Sequence, residues 1–244
     1  FELAEAYAQK SDLQKMTDEY LDIVELAPQY IPSLQSILQN KIALDYTGTL
    51  GDIVRQSLLR RIQKNSGKIE YNELLYWLFM QQKDFESAAI QAKALDKRLS
   101  EQGDRLLSLG RTCVSNQDYK TAEDCFQYIV DKGKDGSNYI TARIELINAL
   151  NKRITTQSNY TAADLQKLDN DYKNTISELG KNAGTSSLLK EYAHLRAFYL
   201  NDVDGATLML EELIAMPRIT PLFQAECKLE LGDILVLKNE VWDA

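Results

Sequence analysis

The sequence predicts an all-α chain of antiparallel helix pairs, each burying its apolar face by stacking on its neighbours. Three observations carry this. Lys83-Asp84-Phe85-Glu86-Ser87-Ala88 superimposes on Gln117-Asp118-Tyr119-Lys120-Thr121-Ala122, with 34 residues between equivalent positions, such as Asp84 and Asp118. A fixed period of that size marks a repeat array whose unit is one helix pair. Apolar residues recur at helical spacing, as in Leu74, Leu75, Leu78 and Phe79 or in Ala122, Cys125, Phe126, Ile129 and Val130, and no stretch alternates as a strand would. The composition agrees: helix formers dominate, and four prolines and eleven glycines are too few for a disordered or all-β chain.

Punctuation places the elements in order. Breaks are expected near Gln9–Asp12, Pro28–Pro32, Tyr46–Asp52, Asn65–Lys68, Lys83–Asp84, Ser100–Gly103 and Asn116–Asp118. They continue near Gly133–Gly136, Arg153–Tyr160, Gly180–Ser187, Asp202–Gly205, Met216–Pro221 and Asn239. This leaves about twelve helices of ordinary length and the start of another. Asp84 and Asp118 open helices, where a carboxylate caps free N–H groups and meets the positive dipole end. Pro28, Pro32, Pro217 and Pro221 stand between helices or in first turns, as a fixed φ requires. The stretch Thr161–Leu179 reads as one longer helix.

Composition excludes several function classes. With 44% hydrophobic and 26% charged residues the chain is an ordinary folded protein. A net charge of −8 disfavours nucleic acid and anionic lipid. The one basic stretch, Arg55, Arg60, Arg61, Lys64 and Lys68, reads as a solvated helix face. No apolar run approaches the ~18 residues of a membrane span. The cysteines, Cys113, Cys125 and Cys227, lack C-x-x-C spacing and read as small buried apolar residues. His194 is the only histidine, so His-based triads and multi-His metal sites are excluded within the chain, and it reads as a packed helix residue. No phosphate-binding glycine motif occurs. No catalytic residue, metal ligand or cofactor site is expected. Asn159-Tyr160-Thr161 is a glycosylation sequon, meaningful only in a secretory setting. The compartment stays open.

With the period and these residues in place, the chain resembles the tetratricopeptide repeat (TPR) family. The segment from 103 carries Leu106, Leu109, Gly110, Ala122, Phe126 and Ile129 at the family's signature positions, with Cys113 replacing an aromatic. The segment from 69 carries Leu75, Phe79, Ala88 and Leu95, with Tyr76 where a small residue is usual and Ala92 where an aromatic is. Leu3, Ala4, Tyr7, Tyr20 and Pro28 match at the start, and Leu231, Gly232 and Ala244 at the finish, as in a fragment of a longer array. The resemblance implies a right-handed α-α superhelix. Small residues, Gly110 against Ala122 and Gly232 against Ala244, would let paired helices approach closely. Approximate units are 1–30, 31–68, 69–102, 103–136, 137–186, 187–220 and an incomplete 221–244, within one domain spanning 1–244. Longer spacings from Ala122 to Ala163 and on to Ala206 are assigned to the 153–160 and 180–187 loops and the long helix between them.

The resemblance also implies a mode of action: first helices line a concave groove. Carried over, the groove residues include Glu70, Glu73 and Trp77, with Met80 and Gln81, then Asp104, Leu107, Ser108, Arg111 and Ser115. Asn138, Glu145 and Asn148 follow, then Glu191, Tyr192, Leu195, Phe198 and Tyr199, then Glu226, Glu230 and Asp233. This acidic and aromatic mixture suits an extended peptide with basic and apolar side chains. The Lys and Asn clamp of one TPR subclass is absent, since Glu73 and Trp77, and Leu107 and Arg111, hold its places. The expectation is a non-catalytic scaffold for a protein or peptide partner. The alternative is a structural arm of a longer, multi-repeat protein of the cell-envelope kind, with self-association left open. A third reading, an enzyme or solute-binding domain, would need a deep polar pocket at the 153–160 or 180–187 loops.

Overall fold

The computed structural model describes residues 1–157 and 160–238. Among them are thirteen α-helices, two 3-10 turns and no strand. They are α1 (Glu2–Gln9), α2 (Leu13–Leu26), α3 (Ile31–Leu44), α4 (Thr49–Lys64), α5 (Ile69–Gln82), α6 (Phe85–Leu99) and α7 (Asp104–Ser115). Then come α8 (Tyr119–Asp131), α9 (Tyr139–Gln157), α10 (Ala162–Leu179), α11 (Ser186–Phe198), α12 (Val203–Ile214) and α13 (Pro221–Leu237). The chain forms two compact units, Phe1–Asn138 and the segment from Tyr139 onward.

In the first unit, α1 with α2, α5 with α6 and α7 with α8 are closely packed hairpins, and α6 also packs on α7. The stretch 31–68 is built differently. There α4 packs on α2 and α5, and α3 leans mainly on α5. Met16, Tyr20, Leu38, Leu58, Leu75, Leu95, Leu109 and Phe126 run through the interior, which is thus a continuous row of small cores.

The three close hairpins share one turn. Ser11, Lys83 and Gln117 take left-handed φ of 58°, 56° and 63°. Each precedes an aspartate that caps the next helix. Asp12, Asp84 and Asp118 accept from the N–H groups of Lys15, Ser87 and Thr121 at 3.1, 3.2 and 3.2 Å. Their own N–H groups return to the Tyr7, Phe79 and Cys113 carbonyls at 3.0, 2.9 and 2.9 Å. The left-handed residue ends one helix, satisfying its last carbonyls, while the carboxylate starts the next. In the second unit Asn201 (φ 54°) and Asp202, which accepts from Gly205 N–H at 3.1 Å, use the same device. The 34-residue shift between two of these turns is therefore part of a wider rule.

Close approach at Gly110 takes a form the sequence did not reveal. A Cβ there would fall 2.5 Å from Cε1 of Phe126. The aromatic ring thus lies nearest the glycine, and Phe126 is fully buried. Gly110→Ala gains about 1 kcal/mol of helix propensity but overpacks a ring with nowhere to go, a cost of about 1–3 kcal/mol. Net destabilisation is expected in thermal unfolding. In a Phe126→Leu background the same change should be neutral or stabilising. The partner pair of small residues, Gly232 and Ala244, cannot be compared, because Ala244 lies outside the described residues.

Several boundaries also differ from expectation. No break occurs at Arg153: α9 runs on to Gln157, and Arg153 pairs with Asp164 at 3.0 Å, tying α9 to α10. Asp164 completes a capping box with Thr161, and backbone and side-chain hydrogen bonds from Thr161, with Arg153, lower its pKa to about 2. The sequon residue Asn159 lies outside the described residues. The 180–187 loop is closed by a 3-10 turn, Ala183–Thr185, capped by Asn182 and Thr185. The basic stretch is not a simple solvated face either. Arg61 lies 2.6 Å from Asp22 and donates to the Asp18 carbonyl at 3.0 Å and the Tyr71 hydroxyl at 3.3 Å, joining α2, α4 and α5.

The second unit packs α9 on α10, α11 on α12 and α12 on α13. Its core runs from Ile147, Leu150 and Ile154 through Leu168, Tyr172, Leu189 and Tyr192 to Leu210, Cys227 and Ile234.

Candidate functional site

In the first unit the first helices α5 and α7 stand one period apart, and contacts between them show that their faces adjoin. Arg105 at the start of α7 is gripped by Glu101 at 2.6 Å. From there it reaches Glu73 of α5 at 3.6 Å, and its guanidinium lies 5.1 Å above the Tyr76 ring. Asn138, one period after Asp104, donates to that carboxylate at 2.6 Å and to the Gln102 carbonyl at 3.1 Å. Equivalent positions of successive pairs are thus held side by side.

On this frame α7 exposes Asp104, Ser108, Arg111 and Ser115, one stripe at helical spacing, while Leu106, Leu109, Gly110 and Cys113 face the core. On α5, Glu70, Glu73, Trp77 and Met80 are half-buried and Gln81 is exposed. Between the helices lies a shallow depression of about 430 Å³ lined by Tyr76, Glu101, Asp104, Arg105 and Ser108. Its polarity is mixed, three carboxylates around one guanidinium counting Glu73. Burial raises the Tyr76 phenol pKa, so the ring stays a neutral platform. Sequence reasoning missed Tyr76 and Arg105 as site residues. Tyr76 had a signal, since it departs from the family pattern at a position where a small residue is usual.

The second unit distributes its candidates less evenly. Tyr192 is 3% exposed and belongs to the core, as does Leu195. The Tyr192 ring stacks on Tyr172 at 4.8 Å, and its hydroxyl donates to Asp169 at 2.6 Å. A groove role for Tyr192 is therefore corrected: its neighbours are helices of its own unit. Glu145 and Asn148 are half-buried on α9, and the Asn148 side-chain oxygen is enclosed without a hydrogen-bond partner. Glu191 is held above its ordinary pKa by burial, against a Tyr172 hydrogen bond at 3.4 Å. Tyr199 is half-buried and Asp233 exposed.

His194, read from sequence as a packed residue, is partly open. Its Nδ1 lies 2.6 Å from Glu230, and its ring 4.6 Å from that of Phe198. With Lys190–Glu226 at 2.6 Å, it ties α11 to α13 through two pairs of equal spacing. The three cysteines are buried and free. Burial pushes the Cys113 thiol up to about 12 and raises Cys125 and Cys227 as well, so none is an activated nucleophile.

A cavity of about 500 Å³ lies between α2 and α4 and is lined by Asp18, Asp22, Glu25, Ser57, Arg60, Arg61, Lys64, Asn65 and Tyr71. Its charges largely satisfy one another, so its evident role is to bind helices together. Among the described residues no group of three or more His, Cys, Asp or Glu could hold a metal ion. No described helix is long and apolar enough to cross a membrane.

No protein-family model matches the chain, and no curated protein matches it. Among solved structures it is similar to a tetratricopeptide repeat protein from Parabacteroides merdae, at 16% identity over 98% of this chain and 85% of that one, with a TM-score of 0.41. It is similar to yeast Tom70 at 12% identity, over 92% of this chain and 44% of that one, with a TM-score of 0.48. It is also similar to YrrB, described as a TPR protein with an unusual peptide-binding site, at 14% identity over 86% and 97%, with a TM-score of 0.46. These likenesses concern architecture. The chain itself is all-α and tetratricopeptide-like, from its helix pairs, its period and its shared turns.

Proposed function

We propose that this chain is a non-catalytic scaffold that holds an extended peptide or a partner domain against the α5–α7 face of the first unit. The observation that carries this is the Glu73–Arg105–Tyr76 contact. It holds two first helices in step, so Asp104, Ser108 and Arg111 form one open surface beside Trp77 and Glu70. Open polar side chains spaced along parallel first helices offer hydrogen bonds and charge to a strand-like ligand, and Trp77 offers a hydrophobic anchor. Carboxylates outnumber cations there, which favours a ligand with basic and apolar residues over nucleic acid. Glu145, Asn148 and Tyr199 are the candidates that the second unit, taken by itself, offers to a ligand of the same chemistry. A non-catalytic role is supported by thiols whose pKa burial has raised.

The test is calorimetric titration of the intact chain with a panel of basic-apolar peptides. Trp77→Ala should weaken the best binder roughly 10- to 30-fold, as for a central aromatic anchor. Arg111→Glu should tighten it by removing a like charge, with melting temperature followed in parallel. Peptides that bind equally well to both variants would refute this face as the site.

A further inference from the structure

The last described helix carries a second apolar face. α13 turns Phe223, Cys227, Glu230, Leu231 and Ile234 toward α11 and α12, and Cys227 and Ile234 are fully buried. On the opposite side Leu222, Leu229 and Val236 are 74%, 74% and 52% exposed. These three are spaced seven residues apart. Ala225 and Gly232, also seven apart, lie between them. In heptad terms the body takes b, c and f, and the free side presents large apolar residues at a and small ones at d. Small d residues let a second helix approach closely.

We propose that this face is the seam of a parallel homodimer, in which α13 of one copy packs along α13 of a second. Charge selects the occupant and its direction. Lys228 at g and Asp233 at e are both exposed, and neither forms an ion pair among the described residues. In a parallel pair, g faces the residue five positions on in the other helix, so Lys228 meets the second copy's Asp233, twice by symmetry. An antiparallel pair would set e against e, placing Glu226 against Asp233, and g against g, where Pro221 and Leu235 offer Lys228 no acidic partner. The seam spans two heptads, about 22 Å of helix, the size of a weak interface that forms at micromolar concentration and above. It shares no residue with α5 or α7, and it reassigns Asp233 from the carried-over groove to the seam, so it goes beyond the peptide-binding reading without depending on it.

Light scattering on the intact chain across about 5 to 500 µM, a range that brackets weak association, tests this. The apparent mass should rise from 27.8 kDa toward twice that value. Leu229→Asp should hold the chain at the monomer mass with helicity unchanged, since Leu229 contributes little to its own core. Asp233→Lys should weaken association about tenfold or more, and Lys228→Glu combined with Asp233→Lys should restore it. A monomer throughout overturns the proposal. So does a dimer indifferent to Leu229→Asp, or one that Asp233→Lys tightens, which would be an antiparallel seam.

Discussion

Tyr192→Ala is expected to destabilise the second unit by about 3–5 kcal/mol, the range for removing a large buried ring. The residue is 3% exposed, so nearly all its apolar surface is lost from the core and a cavity opens against Tyr172. The stacked contact at 4.8 Å adds about 0.5–1.5 kcal/mol beyond area. The change also strips Asp169 of a 2.6 Å donor, although Lys173 at 2.7 Å still neutralises that carboxylate. Arg196, whose guanidinium lies 5.6 Å from the ring, loses its platform. Tyr192→Phe isolates the hydroxyl and should cost only about 1–2 kcal/mol. Calorimetric unfolding of both variants decides the matter. A Tyr192→Ala chain that melts like the parent yet loses peptide binding would restore the groove assignment and overturn the core assignment.

Asp96→Ala is expected to cost the first unit about 3 kcal/mol. The carboxylate lies on α6 with its side chain fully enclosed. It accepts from the buried Gly103 N–H at 2.7 Å, from the Tyr128 hydroxyl at 3.0 Å and from the Lys132 ammonium, so it ties α6 to the start of α7 and to the end of α8. Removing it orphans a buried N–H, a cost of about 1–3 kcal/mol. The Lys132 side chain is one-third exposed and its ammonium can rehydrate. The loss therefore stays at or below the 3–5 kcal/mol typical of breaking a wholly buried pair. Acid dependence follows from the same contacts. Burial alone would raise the Asp96 pKa, but hydrogen bonds from Lys132, Gly103 and Tyr128 outweigh it and hold the value below normal. The folded-state value is thus lower than the unfolded one, near 3.9. The contribution is present above about pH 4 and fades as pH falls through the folded value. Denaturant titrations at pH 7 and pH 3 should show a smaller gap between parent and Asp96→Ala at the lower pH. A gap that does not shrink would show that Asp96 acts through packing and not through charge.

Much of the architecture was readable because helix pairing is a local matter. A polar residue, an aspartate and an apolar stripe suffice to mark a hairpin, which is why Lys83-Asp84 and Gln117-Asp118 align so visibly. Ser11-Asp12 and Asn201-Asp202 make the same turn but lie at other spacings, so a search for a fixed period passes over them. The candidate face was legible only in outline. The repeat positions carried over from the resemblance place Trp77 and Arg111 in a groove, but they treat Tyr192 alike, because a helix covered on several sides has no single outward face to betray itself in sequence. The basic stretch was misjudged for a related reason. Arg61 looks solvated until Asp22, far away in the chain, and Tyr71, on the next helix, are brought beside it.

The amino-acid order alone determined the secondary structure class, the hairpin turns and the absence of multi-histidine chemistry. Each of these depends on residues within a few positions of one another, or on simple counts. Only the tertiary structure decided which exposed-looking residues are core, which glycine meets which ring, and which buried carboxylate is neutralised by what. Those outcomes turn on contacts between segments 15 to 45 residues apart, such as Asp96 with Lys132 or Arg61 with Asp18. Periodicity says which way a side chain faces on its own helix, but burial depends on what the rest of the chain lays over it.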